Sequence, residues 1–400
     1  MKHQRFFVAH QVHTHFHLLF FFFIKNHKDF VLGGAREFVV PTHQADHFYT
    51  LVQSPQQFKQ LLMVGGLEKY YQIARCYRDE GARPDRQPEF TQLDIELSYT
   101  NAEKIQSLIE ELLRISWPGE NIIPKEPFPR LTYAECMSKY GSDKPDLRYS
   151  NQIQDVAFHE EKFIKAIAFS QEHFSNQMSR SAAKSMEKEL RALYPSVITS
   201  FFEIESNTTN GDKIKTNAKK FLPKTCNLNV SEKKQGDIGF FAIGDKESDV
   251  QKALGKLRNL VIQRYSFIDE NHLEFLWVVD FPMFLSREDG QEGLEAAHHP
   301  FTRPKEKDIH LMKSNPEQVL AQHYDLVLNG HEIGGGSMRI HEPELQKYIL
   351  ENILNEDTSE LKHMLEALSF GCPPHGGIAL GLDRLIGIIC RTNSIRDVIA

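Results

Sequence analysis

Two stretches of alternating polarity, YYQIARCYR (70–78) and FTQLDIELSY (90–99), flank a loop dense in charge. From Arg78 to Glu89 there are seven charged residues: Arg78, Asp79, Glu80, Arg83, Asp85, Arg86 and Glu89. Period-two alternation predicts strands, and a loop of this length between two strands predicts an antiparallel pair. In the second strand Phe90, Gln92, Asp94 and Glu96 fall on one face, and Thr91, Leu93, Ile95 and Leu97 on the other. The apolar face is expected under helices, with the polar face as the floor of an open sheet. Two carboxylates and an amide in line, opposite Arg78, suit a polar small molecule, although a solvated strand also alternates.

The rest of the chain is organised around that pair. FYTLV (48–52) reads as a strand. Ser54-Pro55-Gln56-Gln57 then predicts a helix start, with Ser54 as N-cap, Pro55 at the first helical position and Gln57 closing a capping box. Gly65-Gly66 is the expected stop. AEKIQSLIEELLRIS (102–116) has the period of an amphipathic helix. Residues 132–272 carry helical patterns such as QMSRSAAKSMEKELRAL (177–193), a lysine-rich stretch at 212–224 and no catalytic constellation, and read as an inserted domain. The lysines there suit a solvated face, with RNA phosphate as the minority reading. Chemistry-rich sequence returns at LEFLWVVDFPMF (273–284), and Asn329-Gly330 within YDLVLNGHEI predicts a type I′ hairpin.

Several small constellations point to an anionic ligand. Gln56 and Lys59, three apart, share a helix face near the N-terminus. An acidic residue is the stabilising choice there, so Lys59 suggests that a ligand supplies the anion. On the hairpin, Asp325 and Glu332 point the same way and suit Mg²⁺ shared with phosphate oxygens, with an acidic surface pair as the alternative. GGGS (334–337) lets a ligand approach the backbone, and Arg339 follows. Gly376, Gly377, Ala379 and Gly381 leave another strand nearly bare, with Arg384 in the next helical turn, placed to lie against a planar ring or reach a phosphate. There is no GxxxxGK[ST] and no GxGxxG, so neither a P-loop nor a Rossmann site is supported.

Composition excludes little. The 400 residues are 40% hydrophobic and 25% charged, with a net charge of −7, so nothing global announces a nucleic-acid partner. Five scattered cysteines without a CxxC pair suggest neither a zinc site nor a disulfide framework, and favour a reducing compartment. Residues 1–30 are atypical. Their longest apolar run, HLLFFFFI, is far shorter than a membrane span. His10, His13, His15 and His17 lack acidic or cysteine partners and match no metal motif. The stretch is poor in the Arg and Ser of a transit peptide.

Together these segments resemble the class II aminoacyl-tRNA synthetases, specifically the aspartyl type of bacteria and mitochondria. YRDEGARPDRQPEFTQLDIE looks like motif 2 and GGIALGLDRL like motif 3; QSPQQFKQLL, AHHPFT and YDLVLNGHEIGGGSMRIH match the aspartate and ATP segments. The resemblance covers roughly residues 31–400. It implies an α+β fold, an antiparallel β-sheet flanked by helices with an inserted α/β domain. The catalytic domain would occupy 31–131 and 273–400, with the insertion at 132–272.

The resemblance also implies aspartyl-adenylate formation from L-aspartate and ATP with Mg²⁺, then transfer to tRNA(Asp) in mitochondrial translation. It places the family member in the mitochondrial matrix. Catalysis would fall to Arg78 and Arg384. Gln56, Lys59, Arg78, Asp94, His298 and Arg339 would bind aspartate. ATP would meet Arg78, Asp79, Glu80, Gln87, Phe90, Glu332, Gly381, Leu382, Asp383 and Arg384, with Asp325 and Glu332 holding the metal.

The sequence departs from the family pattern in places. The family's anticodon-binding barrel and motif 1 have no counterpart here, and motif 1 builds much of the family's homodimer interface. The chain ends at SIRDVIA, short of the usual tail, and Gly33 stands where a glutamate commonly contacts the substrate ammonium. It therefore reads as a truncated form. The alternative is a non-catalytic, synthetase-like nucleotide-binding or interaction protein; a third reading is an ammonia-using asparagine synthetase, against which the long insertion argues.

Overall fold

Alternating and amphipathic segments become strands and helices largely where their periodicities place them. The structure, a computed structural model, describes residues 22–24, 38–44, 47–79, 86–119, 123–159, 161–206, 213–216, 234–266, 271–287, 292–392 and 394–399. In chain order, β1 (Phe22–Ile24), β2 (Val39–Pro41) and β3 (Phe48–Thr50) precede α1 (Gln56–Val64). Then come β4 (Lys69–Tyr77), β5 (Glu89–Ser98), α2 (Ala102–Ser116), β6 (Arg130–Thr132) and α3 (Tyr133–Tyr140). Next are β7 (Gln154–His159), β8 (Lys162–Phe169), α4 (Arg180–Leu193), β9 (Ile198–Ser206), β10 (Lys213–Thr216), β11 (Ile238–Gly244) and α5 (Glu247–Tyr265). The chain continues through β12 (Phe275–Val279), β13 (Phe284–Ser286), β14 (Leu294–Ala296), β15 (His323–Leu328) and β16 (His331–Met338). It closes with α6 (Pro343–Tyr348), α7 (Lys362–Ser369), β17 (His375–Gly381) and α8 (Leu382–Ile389). The class is α+β with an antiparallel-dominated sheet. No helix among the described residues is long and apolar enough to cross a membrane.

Two compact units emerge. The first comprises residues 1–105, 282–321 and 333–400, and the second residues 106–281 and 322–332. In the first, β4, β5, β17 and β16 pair antiparallel in that order. β17 runs opposite β5 with Gly377 across from Glu96, Ala379 from Asp94 and Gly381 from Gln92. β16 lies on its other side, Ser337 opposite Gly377. A second core of this unit gathers Phe284, Phe301, Ile340, Ile349 and Leu350.

In the second unit, β12 pairs antiparallel with β15 and parallel with β6. From α2, Ile109 and Leu113 are buried at helical spacing, each contributing about 2 kcal/mol. Glu110 of the same helix accepts the Trp277 indole N–H at 3.0 Å. A five-stranded antiparallel sheet, β10-β9-β11-β8-β7, carries α4 and α5 on one face. There Ile167, Phe240, Met186 and Leu254 pack together. Arg258 of α5 is only 1% exposed. Its guanidinium donates to the carbonyls of Asp146, Tyr149 and Asn151, which satisfy the buried charge.

Three sequence expectations are corrected. Ser54 makes no cap: α1 starts at Gln56 with Pro55 as N-cap and no side-chain cap bond. Gln57, expected to close that box, instead meets His363 Nε2 at 3.1 Å. The polar face of β5 is not open as expected. Asp94 and Glu96 are 1% and 0% exposed, as buried as Ile95 on the apolar face, and on that apolar face it is Tyr71 and Ile73 of the edge strand β4 that are exposed. The reason is α1, which lies over the polar face and brings Lys59 and Gln60 down onto it. The third correction, the charge partner of Lys59, belongs to the site itself.

Candidate active site

The floor of the site is β5 beside β17. Small residues on β17 leave the room: a Cβ at Gly377 would fall 2.2 Å from Glu96 Oε2 and 2.1 Å from the Ile95 carbonyl. The Glu96 carboxylate fills that space, and Lys59 brings its ammonium to 3.0 Å from Glu96 Oε2 and 3.0 Å from Asp94 Oδ1. Lys59 is therefore paired within the protein, so its place near the helix start does not by itself call for a ligand anion, a correction to the sequence inference. Arg339 follows β16 and reaches Glu96 Oε1 from Nε at 3.1 Å, while its Nη1 donates to Ser337 Oγ at 2.6 Å. Burial alone would raise the Glu96 carboxyl; Arg339 and Lys59 outweigh it and hold it at about 2. The result is a buried lattice of two cations and two carboxylates.

One atom of this lattice stands apart. Asp94 Oδ2 is buried and makes no hydrogen bond with any described residue. A buried carboxylate oxygen without a donor is costly, so the site presents an acceptor to whatever enters.

Above the same sheet, Gln56 and Gln60 of α1 are both buried and bonded to each other, Gln56 Nε2 to Gln60 Oε1 at 3.0 Å. Gln60 Nε2 lies 3.2 Å from Nε2 of the fully buried His375. His299 sits among cations. Burial first, then Arg339, Lys59 and Arg78, push its imidazole down to about 3, so the ring is neutral at physiological pH. Its Nδ1 accepts the Phe301 N–H at 3.3 Å. The sequence reading chose the neighbouring His298, which is half-buried like His299, and did not single out His299, Gln60 or His375. Gln60, one turn beyond Gln56, was the one with a periodic signal.

At the other end of β5, the Arg78 guanidinium lies over the Phe90 ring, 5.1 Å from its centroid. The Arg78 N–H donates to the Pro88 carbonyl at 2.9 Å, closing the base of the charged loop. The Thr91 N–H donates to Asp383 Oδ2 at 2.9 Å, fastening the first turn of α8, which carries Arg384, to the residue after Phe90. The turn that brings them there runs through Gly381 and Leu382. Gly381 leaves open space: a Cβ there would meet only the Ile333 carbonyl, at 3.9 Å. Gln87 Nε2 is buried and makes no hydrogen bond with any described residue. Asp79 is exposed. Glu80 lies outside the described residues, as does Gly33.

Within the second unit, Asn329 and Gly330 have φ of 50° and 81°, the two positive values of a type I′ turn. Asn329 braces it by accepting the Glu274 N–H at 2.8 Å and donating to the His272 carbonyl at 3.0 Å. Asp325 is buried and its Oδ1 meets His323 Nε2 at 2.8 Å; Glu332 is partly buried. No group of three or more metal-ligating side chains occurs among the described residues.

The antiparallel sheet thus bears a buried cation–carboxylate lattice, with Arg78 over Phe90 and the first turn of α8 fastened beside it. The model of class II tRNA synthetases of the D, K and N type matches residues 26–400, and the chain belongs to that family. Among curated proteins it is 47% identical to the mitochondrial aspartate–tRNA ligase of Mus musculus over 390 residues, covering 92% of this chain and 59% of that protein. It is 46% identical to the mitochondrial enzyme of Homo sapiens, again over 92% and 59%. Against the aspartate–tRNA ligase of Listeria monocytogenes the identity is 42%, covering 92% and 64%. The chain thus spans about three-fifths of the length of these relatives.

Proposed function

We propose that this chain activates L-aspartate with ATP and passes the aspartyl group to tRNA(Asp), as an aspartate–tRNA ligase of mitochondrial type working in the mitochondrial matrix. The observation that carries this is the unpartnered Asp94 Oδ2 beside Lys59 and Arg339. A small α-amino acid with an acidic side chain satisfies all three. Its ammonium donates to Asp94 and to the Gln56 carbonyl, and its side-chain carboxylate meets Lys59, Arg339 and His298. Asparagine would set an NH₂ donor against the Lys59 and Arg339 donors where aspartate offers a carboxylate acceptor, a mismatch of roughly 1–3 kcal/mol.

ATP binding falls to the other end of β5. The adenine lies between Phe90 and Arg384, against the bare strip at Gly381 and Leu382. Asp383 holds Arg384 in place, and Asp79, Glu80 and Gln87 complete the pocket. Arg78 bridges the α-phosphate and the substrate α-carboxylate. That carboxylate attacks the α-phosphorus, the bond to the bridging oxygen breaks, and pyrophosphate leaves. No protein nucleophile is needed, and catalysis rests on positioning and charge stabilisation. Asp325 and Glu332 offer hard oxygen donors of the kind that suit Mg²⁺ shared with phosphate, which supplies charge neutralisation when bound.

In this reading residues 31–131 and 273–400 form the catalytic domain and 132–272 the insertion. The test is ATP–pyrophosphate exchange by the purified chain. Exchange that responds to aspartate and to neither asparagine nor lysine is expected. Exchange preferring asparagine or lysine overturns the assignment of substrate.

A further inference from the structure

Four groups in the first unit form a chain of hydrogen bonds whose direction is set at one end. The Pro373 carbonyl lies 2.9 Å from His375 Nδ1. A carbonyl oxygen only accepts, so Nδ1 carries the proton. Cys372 Sγ, 3.5 Å from the same nitrogen, is a weak partner that leaves this polarity unchanged. A neutral imidazole has one N–H, so His375 Nε2 is an acceptor and takes its bond from Gln60 Nε2 at 3.2 Å. That turns Gln60 Oε1 towards α1, where it accepts from Gln56 Nε2 at 3.0 Å. The orientation of the Gln56 amide is then set: one N–H of its NH₂ is spent on Gln60, and its side-chain oxygen, on the opposite side, remains as the acceptor.

We propose that His375 and Gln60 are positioning residues whose hydrogen-bond polarity, anchored at Pro373, orients the Gln56 amide so that it recognises a substrate ammonium group. This rests on the reading above that Gln56 meets the aspartate ammonium. Burial first of all disfavours the charged form of His375, in keeping with a neutral ring. An Nε2–H, in the imidazolium or in the other neutral tautomer, would flip both glutamine amides and turn the Gln56 NH₂ towards the ligand, donor against donor; the other neutral tautomer would also lose the bond to the Pro373 carbonyl.

Two measurements test this. Histidine-selective ¹⁵N labelling, with His375 assigned through a His375→Asn variant, reads the tautomer directly. An Nδ1–H ring at neutral pH is expected; an Nε2–H ring or an imidazolium overturns the proposal. The second compares two ligands in Gln60→Met. L-Aspartate affinity should fall about tenfold, the worth of a hydrogen bond to a charged group. L-Malate carries a hydroxyl in place of the ammonium and can donate or accept, so its affinity should change less than about twofold. Equal losses for both ligands overturn the proposal in favour of a packing role. If Gln60→Met does not fold, the tautomer still decides. If the unmodified protein binds no aspartate, the functional reading fails while the tautomer result stands.

Discussion

The Lys59 ammonium lies 3.0 Å from the Asp94 carboxylate, 35 residues away in sequence, with both side chains 1% exposed. Two charges removed from water in this way hold each other, and Glu96 shares the same ammonium. Replacing Lys59 with Met would leave two carboxylates facing one remaining guanidinium. Breaking such a buried pair costs about 3–5 kcal/mol. Urea unfolding should show that loss, and Lys59→Arg should recover part of it.

Glu96 makes the stability pH-dependent in a defined direction. Its folded pKa, about 2, lies below the ordinary 4.5, so the unfolded chain binds more protons between those values. The contribution is fully present above pH 4.5 and is lost as pH falls towards 2, amounting to roughly 3 kcal/mol. Unfolding free energies measured down this range should steepen accordingly, and Glu96→Gln should flatten the slope.

His299 acts in a higher window that overlaps this one below pH 4.5. With a folded value of about 3 against an ordinary 6.5, it stays neutral when folded and takes a proton on unfolding. Stability should therefore decline as pH falls from 6.5 towards 3. A His299→Gln variant should lose this upper limb while keeping the lower one that Glu96 sets.

On the proposed function, Arg78 and Asp383 should separate chemistry from support. Arg78→Ala should lower aspartate-dependent pyrophosphate exchange by about 100- to 1000-fold, the scale of one lost preorganised charge partner. Asp383→Ala removes only the acceptor for the Thr91 N–H. It should raise the KM for ATP about fivefold, through a looser α8 and Arg384, with a smaller effect on kcat.

Two glycines on β17 should answer the same substitution differently. Gly377→Ala drives a Cβ to 2.1 Å from the Ile95 carbonyl, and overpacking against backbone costs about 1–3 kcal/mol or more. Gly381→Ala meets nothing closer than 3.9 Å, so thermal stability should hold while ATP affinity falls. Paired melting curves and ATP titrations check both.

Local pattern by itself determined most of the elements of this protein. Period-two alternation located β4 and β5, the 3.6-residue repeat set α2, and Asn329-Gly330 specified its turn, because each depends on the backbone geometry of neighbouring residues. The charged loop and the bare strand likewise singled out Arg78, Phe90, Asp94 and Arg384 as candidates for chemistry. The pattern did not say which face of β5 is covered, since alternation distinguishes two faces without assigning either to the interior. Only the tertiary structure decided that α1 covers the polar face, that Lys59 is neutralised by Asp94 and Glu96, and that His375 reaches Gln60 across 315 residues. These are long-range pairings between charges and amides, and they exist once burial has removed the water that would otherwise satisfy each group alone.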